Sequence, residues 1–203
     1  MDQNKIPTTC FSDVFNGNCE LDYRIQPLNP HSRMIGPAYT VQLPFGDNLD
    51  LIQAILMAPK GSILVVNSSN NLKTAIIGDN YSAAAKELGI LGIVTDGIVR
   101  DYQEIIDLDF PIFCKGHGTL SPAKKGGGEK EVTLELGGVT VRPGDIIIGD
   151  RNGVISIPSE EYEGLIAKAD QKNIKDQEVG LKIKNEPDYA RRYLEGLVQK
   201  FSK

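Results

Sequence analysis

The 203-residue chain has no Trp and little Phe or Tyr, so no aromatic stacking platform is expected in it. Cysteine is equally scarce. Cys10, Cys19 and Cys114 have no metal-ligand spacing, and an odd count does not suit a disulfide framework, which points to reduced, structural thiols. There is no block of like charge, and a net charge of -5 argues against a nucleic-acid surface. The longest apolar runs, such as "ILVV", are of strand length, and "MDQNKIPTTCF" lacks the apolar stretch of a secretory signal; no membrane span is expected, and the expected location is cytoplasmic.

What is present is an alternation of periods. "TTCFSDVF" reads as a short helix capped by Thr8 or Thr9, and the Pro- and Asn-rich "QPLNPHSRMIGP" as a loop. "AYTVQL" is strand-like. In the segment after it, Leu49, Ile52, Ile55 and Leu56 recur at helical spacing until Pro59 and Gly61. "SILVVN", "LGIVTDG" and "FPIFCKG" read as strands, separated by the helices "GDNYSAAAKELG", ended by Gly89, and "RDYQEIIDLD". Strand and helix in turn predict an α/β sheet with parallel pairs. After Gly116 comes a Gly-rich loop, "TLSPAKKGGGEKE". The stretch "VTLELGGVTVRPGDIIIGDRNGVISIP" then reads as strands and hairpins punctuated by "GG", "PG" and "NG", with Asp145 and Asp150 as turn formers. A charged helix capped at Ser159 runs to a break at Pro187, and a last helix follows. The expected organisation is one domain over 1–203, with a layered core at 1–158 and a helical arm at 159–203.

The triplet "GDN" occurs at 46–48 and again at 78–80, each time opening a helix. The recurrence by itself argues only for capping; the chemistry is read from the second copy together with Arg100 and Asp101. A helix start leaves backbone N–H groups unpartnered and adds about half a positive charge, so it receives carboxylate or phosphate well. From Asp79 to the Arg100-Asp101 pair is the length of one helix plus one strand. Both therefore reach the same sheet edge, where open α/β sheets bind ligands. Arg100 offers a planar fork for a carboxylate, and Asp101 a hard oxygen for a divalent cation. The same residues also suit plain capping: Asp79 and Asp101 are good N-caps, and Glu104 stands at the capping-box position. His31 and His117 are assigned no role, and Cys114 in its apolar strand is read as buried and inert.

Asp79-x20-Arg100-Asp101, "FPIFCKG" and "GGVTVRPGDIIIGDRNGVISIP" resemble the family of the regulator of ribonuclease activity A. That family includes the class II 4-hydroxy-4-methyl-2-oxoglutarate/4-carboxy-4-hydroxy-2-oxoadipate aldolases. The likeness runs from about 8 to 178. It implies a layered β/β/α domain of the swivelling type with a C-terminal helical arm, assembled as a homotrimer or a dimer of trimers. It implies Mg²⁺ or Mn²⁺ held by Asp101, with Asp79 acting through water. Arg100 would contact a small keto-acid substrate, and the backbone of Gly78, Asp79, Asn80 and Tyr81 would cradle its carboxylate. A lysine of the Gly-rich loop, Lys124 or Lys125, would join them, and so would a carboxylate from a neighbouring subunit's C-terminal helix, Glu178 with Asp176 behind it. The implied reaction cleaves 4-hydroxy-2-keto acids to pyruvate, with oxaloacetate decarboxylation through the same enolate. The alternative it implies is a non-catalytic regulator binding a ribonuclease or RNA helicase. The loops near Phe45 and "SSNN" are expected to read the substrate's tail.

Overall fold

The computed structural model describes residues 3–202. After a 3-10 turn at Gln3–Lys5 come α1 (Thr8–Val14), β1 (Gln26–Pro27), β2 (Met34–Gln42), α2 (Leu49–Met57), β3 (Ile63–Asn67), α3 (Asp79–Glu87), β4 (Gly92–Thr95), α4 (Tyr102–Asp107) and β5 (Ile112–Cys114). The second half holds β6 (Glu129–Lys130), β7 (Leu134–Leu136), β8 (Val139–Val141), β9 (Ile146–Asp150), β10 (Gly153–Ile157), α5 (Ser159–Asn185) and α6 (Tyr189–Phe201).

The main sheet runs β1-β5-β4-β3-β2-β9-β10, with β6 also on β2. Its centre, β2-β3-β4-β5, is parallel, as the strand–helix alternation predicts. These strands are apolar on both faces because both are covered. Leu64 and Val66 of β3 meet Leu51, Ala54 and Ile55 of α2, Ala85 of α3 and Ile105 of α4 in one buried cluster. Ile63 and Val65 point the other way, into a cluster with Leu134, Leu136, Val139 and Val141 of the β7–β8 hairpin. Each such side chain contributes about 1.5–3 kcal/mol on burial. The layering is thus hairpin, sheet, helices, which is the expected β/β/α order. A third cluster packs Phe11 of α1 and Tyr162, Leu165 and Ile166 of α5 against Ile148, Ile155 and Ile157.

Several expectations are corrected. The 26–37 segment is not all loop, because β2 starts at Met34 and its first four residues pair with β9. Pro37 is tolerated there. The Ala38 N–H points to Asp145 on the β9 side, so the donor that Pro37 lacks would face β3, whose pairing begins only at Ala38. Residues 19–21 lie along β10, with the Leu21 N–H donating to Val154 and the Ser156 N–H to Cys19, so the chain bridges from β10 towards β1 and nearly closes the sheet. Leu56 is exposed; α2 buries Asp50, Leu51, Ala54 and Ile55 instead. Pro143-Gly144 forms no hairpin, since β8 pairs only with β7 and β9 turns to β2.

The caps also differ from expectation. Neither Thr8 nor Thr9 caps α1. The Thr8 N–H (2.9 Å) and hydroxyl (2.8 Å) instead donate to the distant carboxylate of Asp150, which also accepts from the Asn152 N–H in its own turn. Ser159 is the first residue of α5 rather than its cap. Asp145 does brace its turn, accepting from the Arg142 N–H at 2.7 Å. The three cysteines are buried and free, and burial pushes the Cys114 thiol up to about 11.

Candidate active site

All four connections leaving the C-terminal ends of the parallel strands converge on one cavity of about 220 Å³. The turn after β2 contributes Asn48. The connection after β3 contributes Ala75, Ile77, Gly78, Asp79, Asn80 and Tyr81, the one after β4 contributes Arg100, and the long loop after β5 contributes Ser121, Pro122 and Lys124. Backbone bonds tie these connections together: the Ile76 N–H donates to Ile98, Arg100 to Ile77, Val99 to Gly116 and Ala75 to Leu120.

Asp101 precedes α4 in the left-handed region, at φ 56° and ψ 49°. Such a conformation is uncommon for a non-glycine residue, and aspartate is one of the few that tolerates it. Its carboxylate does not cap α4, and Glu104 returns no capping-box bond among the described residues. Instead Oδ2 accepts from the Asp79 N–H at 3.3 Å and from Arg100 Nε at 3.2 Å, across to the start of α3. Capping therefore does not explain Asp101. Its Oδ1 has no hydrogen bond among the described residues. Asp79 Oδ1 accepts from the N–H and side-chain amide of Asn80, leaving Oδ2 without a partner among the described residues. The other end of the Arg100 fork, Nη1, donates to Ser121 Oγ at 2.5 Å, so the guanidinium is held on two sides.

Gly78 makes this closeness possible. A Cβ there would lie 2.2 Å from Asp101 Oδ2 and 3.0 Å from Arg100 Nε. Of the four N–H groups expected to cradle a carboxylate, those of Asp79 and Asn80 are engaged by this chain's own carboxylates, while those of Gly78 and Tyr81 have no partner among the described residues. Lys124, not Lys125, lines the cavity, its Nζ 5.9 Å from the centre of the Tyr81 ring. The Lys125 N–H is turned away, onto Asp47 at 2.5 Å.

The family assignment rests on comparison as well as geometry. The profile of the RraA-like family, Aldolase/RraA, matches residues 8–156. This chain belongs to that family. A Halalkalibacterium halodurans relative named "Putative 4-hydroxy-4-methyl-2-oxoglutarate aldolase" is 40% identical over 193 residues, covering 95% of this chain and 92% of the relative. The RNA-processing inhibitor RraA from Thermus thermophilis is similar in structure, with a TM-score of 0.69, 29% identity and coverage of 75% of this chain and 92% of that one. A Pseudomonas syringae pv. tomato protein shares the fold at a TM-score of 0.82 over 94% of this chain and 90% of its own, with 24% identity.

Within the RraA-like fold, the Gly-rich loop is held from beneath by two buried aspartates that the sequence reading missed. Asp47 accepts from the N–H groups of Leu49, Lys125 and Gly126; Asp50 accepts from the Gly128 N–H and Lys130 Nζ. Burial pushes the Asp47 carboxyl up, but these N–H groups outweigh it and hold it below the usual carboxylate range. Asn48 and Ser121 were missed too. Asn48 belongs to the first "GDN" copy, which in the sequence is no more than a helix start. Two expected participants stand apart from the cavity. Glu178 is exposed on the distal half of α5, while Asp176 pairs with Lys172. Phe45 and residues 68–71 do not line the cavity either; Asp96 ties up the latter loop by accepting from the N–H groups of Ser68 and Asn70.

Proposed function

We propose that this chain is a divalent-metal-dependent aldolase. It cleaves 4-hydroxy-2-keto acids to release pyruvate and decarboxylates oxaloacetate through the same enolate. The observation that carries this reading is the meeting of three residues from two separate connections: Asp79 and Arg100 line one cavity, and the Asp101 carboxylate is hydrogen-bonded to both. The residues fit a hard cation such as Mg²⁺ or Mn²⁺. Among the described residues no three of His, Cys, Asp and Glu converge into a cage. Mg²⁺ needs none, taking one or two carboxylates and keeping water, and Asp101 Oδ1 and Asp79 Oδ2 are the oxygens left for it. The ion would act as a Lewis acid on the substrate's keto oxygen.

The chain's own groups supply the rest. Arg100, fixed by Asp101 and Ser121, puts positive charge where negative charge grows as the C3–C4 bond breaks. Lys124 and the free N–H groups of Gly78 and Tyr81, at the positive end of α3, receive the substrate carboxylates. Asp79 orients water for proton transfer. Glu178 reaches this chemistry only from a second copy, so the reading requires an assembly, a homotrimer or a dimer of trimers. Exposed Ile174, Leu181 and Ile183 on the same helix suit its burial there. Glu178→Ala is then expected to slow aldol cleavage about 10²-fold or more, the scale of a lost general base. Oxaloacetate has no hydroxyl proton to remove and should be decarboxylated nearly as before. Equal loss of the two activities would contradict the assignment.

The direct test is pyruvate release from a 4-hydroxy-2-keto acid and from oxaloacetate, with Mg²⁺ and then with excess chelator. Turnover that stops in chelator and returns with metal is expected. Turnover indifferent to chelator refutes the metal. A second reading, a non-catalytic regulator of a ribonuclease or RNA helicase, is favoured by the likeness to the Thermus thermophilis inhibitor, and net charge -5 suits a basic partner. Inhibition of a ribonuclease by protein that turns over neither keto acid would select it.

A further inference from the structure

Asn48 lines the cavity yet is 2% exposed, and its side chain is only half satisfied. Nδ2 donates to the Ile76 carbonyl at 2.7 Å, while Oδ1 is buried with no hydrogen-bond partner among the described residues. The orientation of the amide is fixed by chemistry. A backbone carbonyl only accepts, so the nitrogen must face Ile76 and the oxygen must be the atom left over. Buried acceptors without partners are rare, and each calls for an explanation. The rest of the cavity is rich in donors: Arg100, Lys124 and the N–H groups of Gly78 and Tyr81. Those suit carboxylate and keto oxygens. A ligand made only of such oxygens brings no hydrogen to Oδ1 at neutral pH.

We propose that Asn48 determines specificity for a hydroxylated keto acid, its Oδ1 accepting a hydrogen bond from the substrate's C4 hydroxyl. This rests on the keto-acid reading of the site and adds to it. Asn48 distinguishes a 4-hydroxy-2-keto acid from oxaloacetate, which carries no hydroxyl on that carbon. The amide takes no proton. Oδ1 accepts the hydroxyl's one hydrogen in the bound ground state, that bond gives way when the hydrogen turns to the base, and so the amide selects at binding; it is left unpaired when the hydroxyl is missing.

The test uses two inhibitors that lack the keto group and cannot be cleaved, 2,4-dihydroxyglutarate and 2-hydroxyglutarate. They differ only in the C4 hydroxyl, and both are read as competitors of Mg²⁺-dependent oxaloacetate decarboxylation. On the unaltered protein the dihydroxy acid is expected to inhibit at about tenfold lower concentration or better, the scale of one buried hydrogen bond. In Asn48→Ala that ratio should fall towards one. The KM of the 4-hydroxy-2-keto acid should rise about tenfold relative to that of oxaloacetate. Equal inhibition by the two acids on the unaltered protein overturns the proposal, even if Asn48→Ala fails to fold, and leaves the keto-acid reading standing. Absence of any turnover or pyruvate binding removes that reading, and this inference with it. A ratio unchanged by Asn48→Ala assigns the discrimination to another group and also overturns the proposal.

Discussion

Asp101→Asn is expected to yield a folded protein that releases pyruvate at least about a thousandfold more slowly from both oxaloacetate and 4-hydroxy-2-keto acids. The magnitude follows from the role. Losing Lewis-acid stabilisation of a growing enolate costs several kcal/mol, and each 1.36 kcal/mol is tenfold in rate. Asparagine is the informative replacement because it keeps the shape, tolerates the left-handed backbone at φ 56° and still accepts from the Asp79 N–H, while removing the charge a cation needs. Asp101→Ala should lose the same activity and also about 1 kcal/mol of stability, since alanine is poorly suited to that conformation. The ion pair with Arg100 adds little to the folding side, because the two side chains are 41% and 31% exposed. Three measurements settle it: pyruvate release, Mn²⁺ binding by calorimetry and a thermal melt. An Asn variant that keeps its turnover within tenfold, or binds Mn²⁺ unchanged, sinks the role given to Asp101.

The sequence discloses local periodicity and the spacings that follow from it. The parallel strands are legible because Ile63–Val66 and Ile93–Val94 are apolar at every position, which only a sheet covered on both faces rewards. The meeting of Asp79 with Arg100 and Asp101 is legible for the same reason. One helix and one strand return the chain to the edge it left, and no long-range knowledge is needed. Pairings between distant segments are a different matter. Nothing near Thr8 announces that its N–H will be met by Asp150, 142 residues on. The joining of residues 19–21 to β10 is equally silent, because a three-residue pairing has no period. Asp50 in the first turn of α2 and Asp47 just before it look in the sequence like ordinary acids at a helix start, although both are buried and hold the Gly-rich loop at Lys125, Gly126 and Gly128. Asn48 is visible in the sequence only as the last residue of a repeated triplet. Its unpaired oxygen is a fact of packing, and no pattern encodes it.

The second large effect is steric and tests the same geometry from the opposite side. Gly78 sits at φ -132° and ψ -168°, extended backbone open to any residue, so Gly78→Ala brings no backbone strain. Its methyl would meet Asp101 Oδ2 at 2.2 Å, far inside contact distance, and the carboxylate must yield by about 1 Å to admit it. A displacement of that size at a reacting centre costs about 10²-fold in rate, and crowding of this kind about 1–3 kcal/mol in stability. In a chain of this length that is a fall in Tm of roughly 2–4 °C per kcal/mol. The cause can be isolated by a double-mutant cycle. In an Asp101→Ala background the severe clash is gone, and Arg100, 3.0 Å from the methyl, has lost its tether to Asp101 and can give way, so adding Gly78→Ala should cost much less stability and activity than in the unaltered protein. In an Asp101→Asn background an atom of the same size remains, and the added destabilisation should persist. Independent, additive effects of Gly78→Ala and Asp101→Ala would mean that the two residues do not touch, and the close approach that brings α3 and α4 to one mouth would have to be abandoned.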